Sequence, residues 1–100
     1  MLNPDTGVVE VREYRLGDGV EEKAFMAASA QTQLAMKECP GYVSREVFKG
    51  EDGYLDVVHW ERPENADAAT TLEEEDSAVR TLFDLLDEES LSRRRFVPVG

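Results

Sequence analysis

The order in which hydrophobic periodicity changes along this chain leaves few folds open. Val8 to Leu16 (Val-Val-Glu-Val-Arg-Glu-Tyr-Arg-Leu) is rich in β-branched residues and reads as a strand. Gly17-Asp18-Gly19 breaks it. Asp18 with Glu21 three positions later has the form of a helix cap and capping box, so a long helix is predicted from about Gly19 to Cys39. Its apolar stripe is Phe25, Ala28, Thr32, Ala35, Met36 and Cys39, and Pro40-Gly41 stops it. Tyr42 to Lys49 and Tyr54 to Glu61 are two further strands. The turn Gly50-Glu51-Asp52-Gly53 between them makes a hairpin. Pro63 suits the first position of a helix that runs to about Leu72. The acidic run Glu73-Glu74-Glu75-Asp76 interrupts it as a solvated loop or helix end. Val79, Leu82, Phe83 and Leu86 then recur at i, i+3, i+4 and i+7, as in an amphipathic helix. A last strand is predicted from Ser90 or Leu91 to Val99.

Strand, helix, strand, strand, broken helix, strand is the pattern of an α+β protein. The predicted architecture is a ferredoxin-like sandwich, an antiparallel four-stranded sheet with helices on one face. The 100 residues suffice for a single domain spanning 1-100. No helices remain for the other sheet face, and Tyr14, Phe48, Val58, Trp60 and Phe96 are expected there. A second copy packed face to face about one twofold axis would cover it, giving a homodimer.

Charge and composition remove several function classes. Asp and Glu number 22 against 11 Lys and Arg, a net charge of −11. Such a chain repels phosphate backbones and anionic membrane surfaces, so neither nucleic acid nor membrane is an expected partner. Met1-Leu2-Asn3-Pro4-Asp5 has no basic cluster followed by an apolar stretch, and the expected location is cytoplasmic. A single cysteine, Cys39, and a single histidine, His59, leave no intrachain disulfide, Cys-based zinc site or His-rich metal site. No metal and no cofactor are expected, and no phosphate loop or nucleophile elbow is present.

Alternation along the third strand puts Tyr54, Asp56, Val58 and Trp60 on one face and Leu55, Val57 and His59 on the other. Leu55 and Val57 suit the helix-packed core, because Asp56 there would need a buried partner. Trp60 and Asp56 are therefore expected on the open sheet face, away from the helices. A one-residue slip would reverse every assignment. Glu10, Arg12 and Tyr14 alternate along the first strand and are expected to share that face. Asp56 is the candidate catalytic residue, as a general base toward an acidic phenol. It can equally be a hydrogen-bond anchor or a carboxylate paired with an arginine. Arg12, Tyr14 and Trp60 are the candidate ligand-binding residues. Arg12 suits Asp56 or an anionic substrate, Tyr14 can donate to a carbonyl or quinone oxygen, and Trp60 is a cavity wall or an interface side chain. His59 reads as a strand histidine near the helices. Arg93, Arg94 and Arg95 split between two faces and pair with local acids, and Arg80 points to solvent from beside the last helical stripe.

Three segments together resemble a known family. They are Val8 to Leu16 with its glycine turn and Ala-rich helix, Cys39-Pro40-Gly41-Tyr42-Val43-Ser44-Arg45-Glu46-Val47, and Leu55-Asp56-Val57-Val58-His59-Trp60-Glu61. They resemble the dimeric α/β barrel superfamily, most closely antibiotic biosynthesis monooxygenase-like domains. The resemblance implies a small homodimeric barrel that binds a small, aromatic ligand in a cavity on the open sheet face. It equally admits a cofactor-independent monooxygenase acting on a polyphenolic or polyketide-like substrate. In the best-matching members a tryptophan at the end of the third strand and an amide four residues earlier line the cavity. Trp60 stands at the first place, and Asp56 replaces the amide at the second. The haem-degrading branch implies a tryptophan and a histidine on the later helices, and Glu64 to Leu72 and Ser77 to Leu86 contain neither.

Overall fold

A computed structural model describes residues 7–99. The predicted last strand lies within them, whereas the Met1 to Asp5 segment read for a signal lies outside. Four strands, β1 (Val8–Tyr14), β2 (Tyr42–Lys49), β3 (Tyr54–Trp60) and β4 (Ser92–Phe96), form one antiparallel sheet in the order β2-β3-β1-β4. The helices are α1 (Glu22–Lys37), α2 (Pro63–Ala69), α3 (Leu72–Glu75) and α4 (Ser77–Asp84). The α+β ferredoxin-like fold is the one expected.

Local chemistry shifts several boundaries. Helix α1 begins at Glu22, not near Gly19, and Asp18 does not cap it. Gly19 has a φ of +76°, a left-handed turn residue, and Val20 N–H bonds back to the Gly17 carbonyl instead. The acidic run is not a loop: Glu73-Glu74-Glu75 forms the body of the short α3. Asp76 caps α4 by accepting from the Ala78 and Val79 amides, satisfying two orphan donors. Gly41, with φ +80°, turns the chain from α1 into β2. A side chain there would drive into Asn65, because a Cβ would lie 2.2 Å from it. Strand β4 is shorter than predicted, ending at Phe96 before Pro98.

All helices cover one sheet face, and that face is the reverse of the one expected. Val8, Glu10, Arg12 and Tyr14 of β1 point toward the helices, with Asp56, Val58 and Trp60 of β3 beside them. The core has two apolar clusters. Trp60, Val8 and Val58 pack on Met36 of α1 and Ala66 of α2. Tyr14 packs with Phe25 and Ala28 of α1 and with Leu82 and Leu86. Between them lies a buried polar layer of Glu10, Arg12, Ser29, Thr32, Arg45 and Asp56. The bare face instead carries Val9, Val11, Leu55 and Val57, half-buried, with Phe48 and Phe96 exposed. His59 is on this face, not near the helices. It is buried beside Gly7 and the Pro98 ring, and burial pushes its pKa down.

The second cluster depends most on Phe25. It is fully buried, with its ring 5.9 Å from that of Tyr14 and 4.4 Å from that of Tyr54. Phe25→Ala removes a large core side chain and leaves a cavity, so it should cost about 3–5 kcal/mol. The urea midpoint should fall with no change in the slope of the transition.

Candidate functional site

The polar layer is built by the three inner positions of β1, β2 and β3 that face α1. Arg12 lies opposite Asp56 in the β1–β3 register, and Arg45 enters from β2 opposite Val58. Asp56 is 1% exposed, where an unpaired carboxylate would be strongly disfavoured. Arg45 answers it along one edge of its guanidinium: Nε donates to Oδ1 at 3.1 Å and Nη2 to Oδ2 at 2.9 Å. The third nitrogen, Nη1, donates to the Ser29 carbonyl at 3.0 Å and ties this pair to α1. Tyr14 Oη donates to Asp56 Oδ2 at 2.8 Å. Arg12 Nη2 stands 3.8 Å from Asp56 Oδ1, close enough for attraction but too far for a hydrogen bond.

These contacts set the protonation states. Burial by itself pushes the Asp56 carboxyl up, but Arg12, Arg45 and the Tyr14 hydroxyl together outweigh it and hold the carboxyl below its usual range. Burial, then the Asp56 charge and hydrogen bond, push the Tyr14 phenol far up, so Tyr14 stays a neutral donor. A carboxylate stabilised by two guanidiniums is a weak base, and the Tyr14 proton is already committed to it.

The expected site residues Arg12, Tyr14, Asp56 and Trp60 thus do share one sheet face, but it is the helix-covered one. The correction has a physical cause: Asp56 has the buried partner that its place under the helices requires, and that partner is Arg45. Nothing in the pattern of β2 singled out Arg45. A cation amid the half-apolar strand Tyr-Val-Ser-Arg-Glu-Val-Phe was the available signal. Counted without a break from Tyr42 opposite Trp60, Arg45 would fall opposite Val57 on the bare face; the bulge between Tyr42 and Ser44 brings it opposite Val58, to the face of Asp56.

Trp60 sits apart, at the far end of the layer, its ring edge-on to that of Tyr42 at 6.0 Å. Several buried donors of this layer meet no hydrogen-bond partner among the described residues. They are Nε and Nη2 of Arg12, the Thr32 hydroxyl and the Trp60 indole N–H. On the outer side Arg93 pairs with Glu73, and Arg95 with Glu10 and Asp67, while Arg94 pairs with Glu13 on the bare face. The arginine run is divided as expected. The ring of Phe83 lies 5.6 Å from the Arg12 guanidinium and 5.3 Å from that of Arg93. Beyond it, a cavity of about 350 Å3 opens between α3, α4 and β4, with Arg80 on its rim. Among the described residues no three His, Cys, Asp or Glu side chains converge as a metal site would require. No helix there is long and apolar enough to cross a membrane.

Asp56→Ala should cost about 3–5 kcal/mol, since it strands the buried Arg45 charge. Arg45→Met combined with Asp56→Leu should be closer to the parent than either single change, as a double-mutant cycle in urea would measure. A carboxyl held below its usual pKa stabilises the fold above the unfolded value of roughly 3.9 and loses that contribution as pH falls through the folded value. Acid unfolding of the parent should therefore steepen below about pH 4, and the double variant should lack that component.

No protein-family model matches the chain, and no curated protein matches its sequence. Solved structures match its fold. SnoaB, a cofactor-independent oxygenase from Streptomyces nogalater, superposes with a TM-score of 0.80 at 14% identity, covering 95% of each chain. A monooxygenase from the gene ActVA-Orf6 of Streptomyces coelicolor, solved with Nanaomycin D, gives 0.73 at 20% identity, covering 98% of this chain and 92% of the other. A conserved protein from Methanosarcina mazei gives 0.76 at 10% identity over 94% of each. At these identities the likeness concerns the backbone, and a backbone of this type hosts more than one activity. The chain therefore has an α+β fold shared with SnoaB and with the ActVA-Orf6 monooxygenase.

Proposed function

We propose that this chain is a homodimeric barrel protein that binds a small aromatic ligand between its helices and its sheet. One observation carries the reading: of the buried side-chain polar atoms without a partner among the described residues, those of Arg12, Thr32 and Trp60 belong to the helix-facing layer, and His59 Nε2 alone lies on the other face. Buried donors without partners are rare and costly, and a ligand acceptor satisfies them. This moves the expected cavity from the open sheet face to the opposite side of the sheet. In the proposed site Arg12 and Trp60 contact the ligand. Asp56 is a positioning residue, fixing Tyr14 and Arg45 rather than abstracting a proton.

The bare face supplies the homodimer. Val9, Val11, Leu55, Val57, Phe48 and Phe96 form an apolar sheet surface that no helix among the described residues covers. Light scattering at micromolar concentration should give about twice the 11.2 kDa chain mass. Phe48→Glu should shift it toward the monomer, because a charge then opposes burial of that face.

A second reading, cofactor-independent monooxygenase chemistry on a polyphenolic or polyketide-like substrate, draws support from the oxygenases that share this fold. The test is oxygen uptake with an anthrone, with no metal or flavin added. Uptake that scales with protein and is lost in Trp60→Phe supports catalysis. Quenching of the sole tryptophan's fluorescence by the anthrone without uptake supports binding alone. Neither response would sink both readings. Haem, by contrast, should give no sharp Soret band saturating at one per chain, because the sole histidine lies on the other sheet face.

A further inference from the structure

We propose that the Nε–Nη2 edge of Arg12 receives the carboxylate of a small aromatic acid. The inference rests on the reading that the ligand lies between helices and sheet, and it adds the ligand's charge and functional group.

The argument compares two arginines in one buried layer. Arg45 uses its Nε–Nη2 edge to hold the two oxygens of Asp56, and its remaining nitrogen holds a carbonyl of α1. Arg12 is 2% exposed, and the same edge of its guanidinium meets no hydrogen-bond acceptor among the described residues. Asp56 does not supply one. Its nearer oxygen, Oδ1, stands 3.8 Å from Nη2, beyond hydrogen-bond reach. Glu10, the neighbouring acid on the same face of β1, is engaged by Arg95. The molecule thus contains, in Arg45 with Asp56, a filled example of the group that Arg12 lacks. A planar two-oxygen anion matches that edge, with two parallel charge-assisted hydrogen bonds.

The surroundings select an aromatic body for that anion. The Phe83 ring lies 5.6 Å from the Arg12 guanidinium and offers an aromatic surface beside it. The net charge of −11 repels an anion at long range. Salt near 0.1 M screens that field over about 10 Å, whereas direct contact with a desolvated guanidinium is screened far less.

The test is calorimetric titration of the full chain at neutral pH with benzoate and with benzamide, which share ring and shape but differ in charge. Benzoate should bind once per chain at least tenfold more tightly than benzamide, and Arg12→Met should abolish the preference. Arg12→Lys, which keeps the charge and loses the planar edge, should weaken benzoate binding by a similar factor. The comparison of the two probes on the parent protein stands even if the Arg12 variants fail to fold. Equal affinity for the two probes would overturn carboxylate recognition while leaving an aromatic site intact. Retention of the preference in folded Arg12→Met, or no benzoate binding up to about 10 mM, a range well above the weakest useful affinities, would also overturn it. Benzoate bound with the expected preference, in a protein that takes up no oxygen with an anthrone, would uphold this inference and remove the oxygenase reading instead.

Discussion

The side-on pair between Arg45 and Asp56 decides which way this sheet faces. Asp56 lies at the centre of the helix–sheet layer, 1% exposed. A carboxylate in such a place is tolerated only where its lone pairs are met and its charge is balanced. Arg45 does both at once from the adjacent strand, and through the Ser29 carbonyl it also anchors α1 over the sheet. With that pair in place, period-two alternation sends Val58 and Trp60 under the helices and Leu55 and Val57 to the bare face. The two apolar clusters on either side then pack against different helices, α1 and α2 at one end, α1 and the α4 region at the other.

A buried ion pair of this kind adds little net stability compared with a well-packed apolar core. What it does here is organise donors. Asp56 accepts three hydrogen bonds, two from Arg45 and one from Tyr14, while Arg12 stands 3.8 Å away, beyond hydrogen-bond reach. The Arg12 guanidinium is buried and flanked by the Phe83 ring, with the nearest Asp56 oxygen 3.8 Å away. The two guanidiniums keep Asp56 ionised, whereas burial and the Asp56 charge keep the Tyr14 phenol protonated. Neither group is poised to exchange a proton near neutral pH, which separates this layer from an acid–base dyad. Recognition through fixed positive charge and hydrogen-bond donors is what the arrangement does best.

The two faces of the sheet divide the work. One carries the polar layer and the helices, and the other carries valines, Leu55, Phe48 and Phe96 with no helix among the described residues above them. His59 marks the divide, since it neighbours Trp60 in sequence yet occupies the opposite face, close to Pro98. Sharing a backbone with SnoaB and with the ActVA-Orf6 monooxygenase fits this division without deciding the chemistry, because the side chains that would carry it differ from protein to protein.

Much of the fold was legible along the chain. The glycine turns at residues 17–19 and 50–53, the Pro40-Gly41 stop and the Phe25, Ala28, Thr32, Met36 stripe act within a few residues, so local propensity suffices to read them. That Arg12, Tyr14, Asp56 and Trp60 share one sheet face was legible too, because they fall on one parity and alternation is itself a local property. Which side of the sheet that parity faces was not. The preference for Leu55 and Val57 under the helices followed from the cost of an unpaired buried acid, and the acid's partner comes from another strand, past a bulge that breaks the parity count. Sequence alone therefore determined the elements, their order and the grouping of the site. Tertiary structure alone decided its face, since burial of Asp56 becomes favourable only once folding brings Arg45 within hydrogen-bond reach.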